Sequence, residues 1–326
     1  MNYRPLGGTG VQVSQLCCGT MSFGAEADEA AAAAMYSACR DAGINFFDTA
    51  NQYANGRSEA ILGALIQGHR DELVIATKCF NPTGPDVNAR GLSRRHITRA
   101  AEDSLRRLRT DRVEVFYLHQ QDPRTPLEES LRALEDLVRA GKILYPAISN
   151  HSAWQMQAAL DRQLALGWAR LQVMQPMYNL VKRQAEVEIL PMAAANGIAV
   201  VPYSPAGGGL LSGKYAAGGG EGGRLATNPR YRDRYREDWM HETAARFAAF
   251  CAARGVHPVS MAVAWVASHP AVTAPIIGAR DVAQLRASLD SVKIEMTAAL
   301  RAEIGALSRT PPPATDRLEE APPTTA

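Results

Sequence analysis

Residues 44–59 read INFFDTANQYANGRSE, and this stretch changes character within a few positions. It begins as a short apolar run, as a buried strand does, and turns polar at Asp48. Tyr53 follows five residues after Asp48. In α/β proteins the carboxyl end of a strand is where catalytic residues usually lie, so both side chains are candidates for an active site.

The same change from a strand-like run to a helical pattern recurs along the whole chain. Eight apolar runs occur, at residues 16–19, 44–48, 73–78, 113–119, 143–149, 171–175, 199–203 and 274–277. Segments with helical periodicity separate them; one begins at a candidate N-cap, Ser93, and another ends at Gly141. Parallel strands need crossover connections, and a closed sheet has no free edge. The pattern therefore predicts an α/β fold of the (β/α)₈ or TIM-barrel class.

Three segments fall outside this repeat. Residues 3–14, YRPLGGTGVQVS, predict a hairpin that caps the amino-terminal end of the barrel. Residues 204–239, after the seventh strand, are Gly-rich and then charged and aromatic, and they are too long for an ordinary connection. Residues 309–326 have too few apolar side chains to pack. We expect one domain over 1–308 and a disordered Pro-rich tail over 309–326.

Composition restricts the function class. The chain has 326 residues, of which 46% are hydrophobic, and a net charge of +2 with basic and acidic residues intermixed. The charge distribution provides no basic surface for nucleic acid or a membrane, so we expect a small-molecule partner. The sequence is compatible with either a monomer or a homo-oligomer. Five cysteines have no metal-ligand spacing, and their odd number argues against a disulfide framework. With no signal peptide in the sequence, we expect a soluble cytoplasmic protein without a metal.

Four polar residues follow neighbouring strands: Asp48, Tyr53, Lys78 and His119. Each alone has an ordinary structural explanation, such as a turn cap or a packed ring, but together on one barrel face they indicate catalysis. A nearby ammonium would lower the pKa of Tyr53, and Asp48 would keep Lys78 charged. His119 could donate a hydrogen bond to a carbonyl that Tyr53 protonates as a general acid. None of the four supplies electrons, so a hydride-donating cofactor is implied.

From LCCGTMSFG at 16–24 to IIGARDVAQL at 276–285, the chain resembles the aldo-keto reductases, and FDTANQYANGRSEAILG at 47–63 is the most specific match. Within that family it resembles the branch of bacterial enzymes and potassium-channel β-subunits. The resemblance implies a barrel that binds NADPH without a Rossmann fold. It makes Tyr53 the proton donor, Asp48 and Lys78 its pKa-lowering pair, and His119 the residue that orients the carbonyl.

The resemblance also implies the residues that contact NADPH. They are the segment after the first strand (Gly19, Thr20, Met21), Asp48, the nicotinamide-amide contacts (Ser149, Asn150, Gln175), the stacking ring of Tyr203, the pyrophosphate clasp (Ser204, Pro205, Ala206, Gly207, Leu210, Ser212, Lys214, Arg224) and the adenosine 2′-phosphate and adenine contacts (Gly278, Arg280, Gln284, Ser288). Ser288 stands where the family usually has Asn, and Gly278 and Gln284 stand where a large branch has Lys and Arg. NADPH is therefore expected, with NADH possible at lower preference.

Other residues near the expected site carry weaker interpretations. Gln120, beside His119, favours polar carbonyl substrates, and Cys79 is a candidate for oxidative modulation or a simple buried hydrophobe. Apolar candidates for the substrate pocket, with ordinary packing as the alternative for each, are Phe23, Phe80, Trp154, Tyr178 and Trp239.

Two other functions are compatible with the same residues. The protein could be an NADPH-binding redox-sensing or regulatory module with slow turnover, as channel β-subunits are. Alternatively, Lys78 could form a Schiff base in an aldolase. That chemistry needs a Lys that is desolvated or beside another cation, whereas Asp48 would hold Lys78 charged.

Overall fold

The barrel sheet of the computed structural model, which describes residues 1–215, 222–317 and 319, consists of eight parallel strands. Two further strands, β1 and β2, form an antiparallel hairpin at the start of the chain. The strands are β1 Tyr3–Pro5, β2 Gln12–Ser14, β3 Cys17–Gly19, β4 Phe46–Asp48, β5 Val74–Cys79, β6 Val113–Leu118, β7 Ile143–Ser149, β8 Val173–Gln175, β9 Ala199–Val200 and β10 Ile276–Ile277. All eight predicted barrel strands are present.

The sheet curls round on itself. Its hydrogen-bonded order runs from β10 through β3 and on to β9. At the far edge, Val200 of β9 forms a parallel bridge with Val272, and the Ile276 amide donates to the Pro202 carbonyl at 2.8 Å. These bonds join β9 to the segment that enters β10, so the predicted (β/α)₈ fold is confirmed.

Helices occupy the connections between the strands. Ser93 caps α3 as predicted, because its hydroxyl accepts from the His96 amide at 3.3 Å. The α-helices in the described part of the chain are α1 Glu29–Asp41, α2 Arg57–Leu65, α3 Arg94–Leu108, α4 Leu127–Arg139, α5 Ala153–Leu166, α6 Ile189–Ala195, α7 Arg224–Thr227, α8 Pro229–Arg234, α9 Asp238–Ala252, α10 Pro258–Ala267, α11 Val282–Leu289 and α12 Ala298–Gly305. Short 3₁₀ turns lie at Gly7–Thr9, Tyr53–Gly56, Arg70–Glu72, Gln184–Glu186, Gly207–Ser212 and Asp290–Lys293.

Alternation along the strands separates two cores. A small cluster fills the barrel interior, and it includes Phe46, Val74 and Ala76, whereas Phe47 and Ile75 belong to the larger cluster between sheet and helices. Side chains two residues apart on a strand point to the same face. The next inward positions, towards the carboxyl ends of β4 and β5, are therefore those of Asp48 and Lys78.

The hairpin covers the amino-terminal end of the barrel, as predicted. Leu6 and Val13 are fully buried and belong to the interior cluster. Gly7, at φ +57°, packs so closely that an added Cβ would lie 2.9 Å from both the Ala199 amide nitrogen and the Gly197 carbonyl oxygen. Because this end is closed, the carboxyl ends of the strands are left to form a site.

Two predicted segments lie partly outside the described residues. The long connection after β9 contains the turn Gly207–Ser212 and the helices α7 and α8, while residues 216–221 are not described. Of the expected tail, residues 309–317 contain no helix or strand, and 318 and 320–326 lie outside the description. The domain boundary at 308 stays a prediction. No helix in the described ranges has the length and apolar character needed to cross a bilayer.

Candidate active site

Lys78 lies at the centre of the polar cluster inside the carboxyl-terminal end of the barrel. Its side chain is 0% exposed, and its Nζ donates to the Asp48 carboxylate in a buried salt bridge. The same Nζ donates to the Thr49 carbonyl at 2.7 Å and to the Tyr53 hydroxyl at 3.4 Å. Three of the four predicted catalytic residues therefore meet at one ammonium group.

Asp48 joins this cluster to the opposite wall of the barrel. Its second carboxylate oxygen accepts from the Gln175 amide, at the end of β8, at 2.9 Å. Burial raises the pKa of Asp48, although Lys78 and Gln175 both act to lower it. Burial acts to lower the pKa of Lys78, but the charge of Asp48 outweighs it, and the net pKa is raised. Lys78 is consequently held in its ammonium form.

Tyr53 is presented by a tight turn after β4. Ala54 and Asn55, the next two residues, have φ values of +48° and +54°, which are uncommon for residues other than Gly. Lys78 Nζ lies 5.0 Å from the centroid of the Tyr53 ring. Burial raises the pKa of Tyr53 by more than Lys78 lowers it, so the expected net lowering of this pKa is wrong. The phenol is protonated at neutral pH.

His119 follows β6 and faces Tyr53. Their ring centroids are 6.1 Å apart in an edge-on arrangement. Burial, followed by the charges of Lys78 and Arg230, lowers the pKa of His119 to about 3, so the imidazole is neutral. Its Nδ1 is buried and has no hydrogen-bond partner among the described residues. The ring is thus a neutral polar group beside the phenol.

A second polar group lies at the ends of β7 and β8. The Ser149 hydroxyl donates to the Gln175 carbonyl at 2.8 Å, and the Asn150 amide donates to the His119 carbonyl at 2.9 Å. The Tyr203 hydroxyl donates to the Asn150 side-chain oxygen at 2.7 Å. The polar side chains of this wall are thus hydrogen-bonded to one another or to the backbone. A ligand with an amide group that bound here would replace some of these hydrogen bonds with its own.

One cleft of about 920 Å³ connects most of the predicted site residues. Thr20, Lys78, Gly207 and Leu210 do not line it; Thr20 and Lys78 are fully buried. The predicted residues that line it are Gly19, Met21, Asp48, Tyr53, His119, Ser149, Asn150, Gln175, Tyr203, Ser204, Pro205, Ala206, Ser212, Lys214, Arg224, Gly278, Arg280, Gln284 and Ser288.

Three cations gather in the part of the cleft formed by the long loop and the segment after β10. Burial, followed by the charges of Arg280 and Arg224, lowers the pKa of Lys214. Arg280 donates to the Gly222 carbonyl at 3.2 Å and 3.3 Å, and Arg224 forms a salt bridge with Glu26 at 3.7 Å. Mutual repulsion among three cations is relieved by an anion, so this part of the cleft is suited to phosphate.

The glycines of the loop allow close packing over the cleft. Gly208 has a φ of +64°, and a Cβ added there would lie 2.6 Å from the Tyr231 ring. A side chain at this position would displace the Tyr231 ring, and the positive φ is itself strained for other residues, so Gly is favoured here.

The comparison with known proteins agrees with this geometry over almost the full chain. Residues 15–309 match the model of the Aldo/keto reductase family. The chain belongs to this family. It is 39% identical over 314 residues to the uncharacterized oxidoreductase YrpG of Bacillus subtilis (strain 168), covering 91% of this chain and 92% of that one.

Two further relatives of this aldo/keto reductase carry different names. A probable voltage-gated potassium channel subunit beta of Oryza sativa subsp. japonica is 36% identical over 303 residues, which cover 90% of this chain and 92% of the relative. The versiconal hemiacetal acetate reductase of Aspergillus parasiticus is 29% identical over 324 residues, covering 91% and 94%. The family resemblance is confirmed, and the chain is an NAD(P)H-dependent oxidoreductase that acts on carbonyl groups.

The substrate pocket of the reductase is not lined by the aromatic side chains considered for it. None of the five aromatic candidates lines the cleft. Phe23 and Tyr178 are buried in the core, and the Tyr178 hydroxyl donates to Glu186 at 2.6 Å. Phe80 and Trp239 pack against the core, whereas Trp154 is 70% exposed. Ordinary packing explains four of the five.

Two minor hypotheses also lose support. Cys79 is fully buried, and burial, followed by the nearby Glu59, raises the pKa of its thiol well above the usual range, so it is an unreactive core residue. The raised pKa of Lys78 keeps its amine protonated, which disfavours Schiff-base chemistry.

The residues that α8 contributes to the cleft were not predicted from the sequence. Arg230, Tyr231 and Arg234 line it, together with Asn81 and Gln52 from other loops. The only signal was the charged and aromatic run in the long loop. That run did not indicate which side chains face inward.

Proposed function

We propose that this reductase uses NADPH to reduce an aldehyde or ketone, with Tyr53 as the proton donor. The observation that carries the proposal is the buried ammonium of Lys78, which bonds both the Asp48 carboxylate and the Tyr53 hydroxyl at the wall of a long cleft. A buried Lys with a purely structural role needs only its carboxylate partner. Here the ammonium also bonds the hydroxyl of Tyr53, a residue that lines the cleft.

The cleft suits a phosphorylated dinucleotide. The cleft extends from the polar cluster around Tyr53 to the cations Lys214, Arg224 and Arg280. These three cations favour a ligand with an extra phosphate, which is the difference between NADPH and NADH. When bound, the cofactor supplies a hydride to the carbonyl carbon of the substrate.

Each member of the polar cluster has a role in moving one proton. Tyr53 holds the proton that passes to the carbonyl oxygen as negative charge develops there. Lys78 stabilises the phenolate that remains, and Asp48 keeps Lys78 charged. His119, which is neutral, orients the carbonyl by donating a hydrogen bond to its oxygen. The raised pKa of Tyr53 keeps the donor protonated until the substrate oxygen becomes basic.

We assign the other predicted residues to cofactor binding. Ser149, Asn150 and Gln175 would hold the nicotinamide amide, and Tyr203 would stack on its ring. Glycines and hydroxyls of residues 204–212 would approach the pyrophosphate. Lys214 and Arg224 would continue the contacts to the pyrophosphate. The residues assigned to the 2′-phosphate and adenine are Gly278, Arg280, Gln284 and Ser288, and those assigned to the backbone segment after the first barrel strand are Gly19, Thr20 and Met21.

Replacing Tyr53 by Phe tests the proposal. We expect Tyr53→Phe to lower the turnover of an aldehyde by about 10² to 10⁴-fold, because only the proton donor is lost. Binding of NADPH, followed by tryptophan fluorescence, should be unchanged. Tyr3→Phe is the matched control, since Tyr3 is exposed in the hairpin at the opposite end of the barrel. Retained turnover in Tyr53→Phe would refute the assigned role.

A regulatory function is the second candidate, and the similarity to the rice channel subunit favours it. A sensor would bind NADPH tightly and oxidise it slowly, whereas a metabolic reductase would complete many turnovers. Absorbance of the reduced nicotinamide, followed with excess aldehyde, separates the two. Rapid multiple turnover supports the reductase, and oxidation limited to about one equivalent supports the sensor.

A further inference from the structure

Two arginines of α8 line the cleft beside the proposed catalytic residues. They are Arg230 and Arg234, on the six-residue helix Pro229–Arg234. Neither guanidinium forms a salt bridge in the described part of the chain, whereas Arg224, nearby, pairs with Glu26. Two cations on a cleft wall without a carboxylate partner are available to a bound anion.

Their neighbours place these arginines near the reacting end of the cleft. The Arg234 guanidinium lies 5.9 Å from the centroid of the Tyr203 ring and 5.1 Å from that of Tyr231. Arg230 is close enough to His119 that its charge contributes to the lowered pKa of that imidazole. The cations that surround Lys214, in contrast, are Arg224 and Arg280. The α8 pair therefore forms a second positive region, adjoining the one suited to phosphate, since Arg224 lies 5.6 Å from the centroid of the same Tyr231 ring.

Within the described ranges, the cleft lining offers almost no negative charge to neutralise this region. Among the described residues that line it, Asp48 is the only carboxylate, and Lys78 and Gln175 already occupy both of its oxygens. The side-chain amides of Gln52, Asn81 and Gln120 also line the cleft. A substrate with an anionic group would meet hydrogen-bond donors and unpaired positive charge in the same region.

We propose that Arg230 and Arg234 select carbonyl substrates that carry a carboxylate. This inference rests on the proposed reductase function. Arg presents parallel N–H groups that match the two oxygens of a carboxylate, so one or both arginines can bind it by two hydrogen bonds. The carbonyl end of the same molecule then points towards Tyr53 and His119.

The experiment compares two aldehydes of nearly equal size, 4-carboxybenzaldehyde and its neutral amide, 4-carbamoylbenzaldehyde. With NADPH saturating, we expect the wild-type protein to have the higher kcat/KM for the carboxylate. Arg230→Gln and Arg234→Gln should each lower this preference by about tenfold, through KM, and leave the amide unaffected. Arg230→Lys keeps a charge and should keep part of the preference. High salt should weaken the preference of the wild-type protein for the carboxylate over the amide.

Arg232→Gln is the matched control, because Arg232 lies on the same helix but is exposed and does not line the cleft. It should behave as the wild type. Equal losses for both aldehydes, or weaker NADPH binding in the Gln variants, would overturn the inference by showing that the arginines serve the fold or the cofactor. If the wild-type protein reduces the amide and shows no preference for the carboxylate, the inference about the arginines is overturned and the proposed reductase function stands. No turnover of either aldehyde would overturn the proposed function as well.

Discussion

Breaking the buried pair of Asp48 and Lys78 should show strong coupling between the two residues. The Lys78 side chain is 0% exposed and that of Asp48 is 3% exposed. In Asp48→Asn the ammonium keeps two neutral acceptors, the Thr49 carbonyl and the Tyr53 hydroxyl. In Lys78→Met the carboxylate keeps the Gln175 amide. Each single substitution therefore leaves one uncompensated charge inside the barrel.

The magnitude follows from that burial. Removing one partner of a buried pair costs about 3 to 5 kcal/mol in the free energy of unfolding. The double variant Asp48→Asn with Lys78→Met has no charge at either of these positions, so we expect it to be no less stable than either single variant. The coupling energy between the two sites is then at least about 3 kcal/mol.

The cost of Lys78→Met should also depend on pH. Burial already raises the pKa of Asp48 in the presence of Lys78, and loss of that cation raises it further. A carboxyl whose pKa is higher in the folded than in the unfolded state binds its proton more tightly when folded, so stability falls as pH rises. We therefore expect the destabilisation to be smaller at pH 5 than at pH 8.

Urea unfolding, followed by tryptophan fluorescence, measures these differences, since Trp265 is buried in the core. The control is Glu303→Gln, which breaks the exposed salt bridge with Arg254 and should cost less than about 1 kcal/mol. If the effects of Asp48→Asn and Lys78→Met simply add, the two residues do not act as a pair and the reasoning fails.

Three further predictions concern the cofactor and the proton. Arg280→Ala should weaken the binding of NADPH by about tenfold and that of NADH only slightly, as measured by fluorescence titration. Equal losses of affinity for the two nucleotides would place Arg280 away from the 2′-phosphate. Because the pKa of Tyr53 is raised and that of His119 is lowered to about 3, the reduction rate should hold across neutral pH and fall only at alkaline pH, where the phenol ionises; a fall between pH 6 and 8 would contradict this. Gly208→Ala should weaken cofactor binding, since its Cβ would lie 2.6 Å from the Tyr231 ring, and unchanged affinity would argue against the clasp.

The barrel was predictable because its signals are local. Alternation along β4 and β5 already places Asp48 and Lys78 on the inward face, and the strand ends bring them together without further information. Gln175, which the family resemblance assigned to cofactor binding, ends β8 and bonds Asp48. Apolar runs bounded by helical segments were sufficient for this part of the site.

Features that depend on the path of loops were not predictable. Nothing in the run RYRDR of α8 distinguishes Arg230 and Arg234, which line the cleft, from Arg232, which does not. The net pKa of Tyr53 depends on how deeply the ring is buried, which its turn decides. Trp154 was a candidate for the pocket lining, but its side chain is exposed and does not line the cleft.

Closure of the barrel ties the beginning of the chain to its end. Cys17 pairs with Ile276, and the Ser22 hydroxyl donates at 2.6 Å to the carbonyl of Ala279, 257 residues away. During synthesis β3, the first strand of the barrel, therefore cannot pair with β10 until almost the whole chain has been made. Contacts between residues so far apart in sequence form slowly. A nascent chain that ends before Ile276 exposes two unpaired sheet edges, which are prone to aggregation. It also lacks Gly278 and Arg280, which line the cleft just beyond β10.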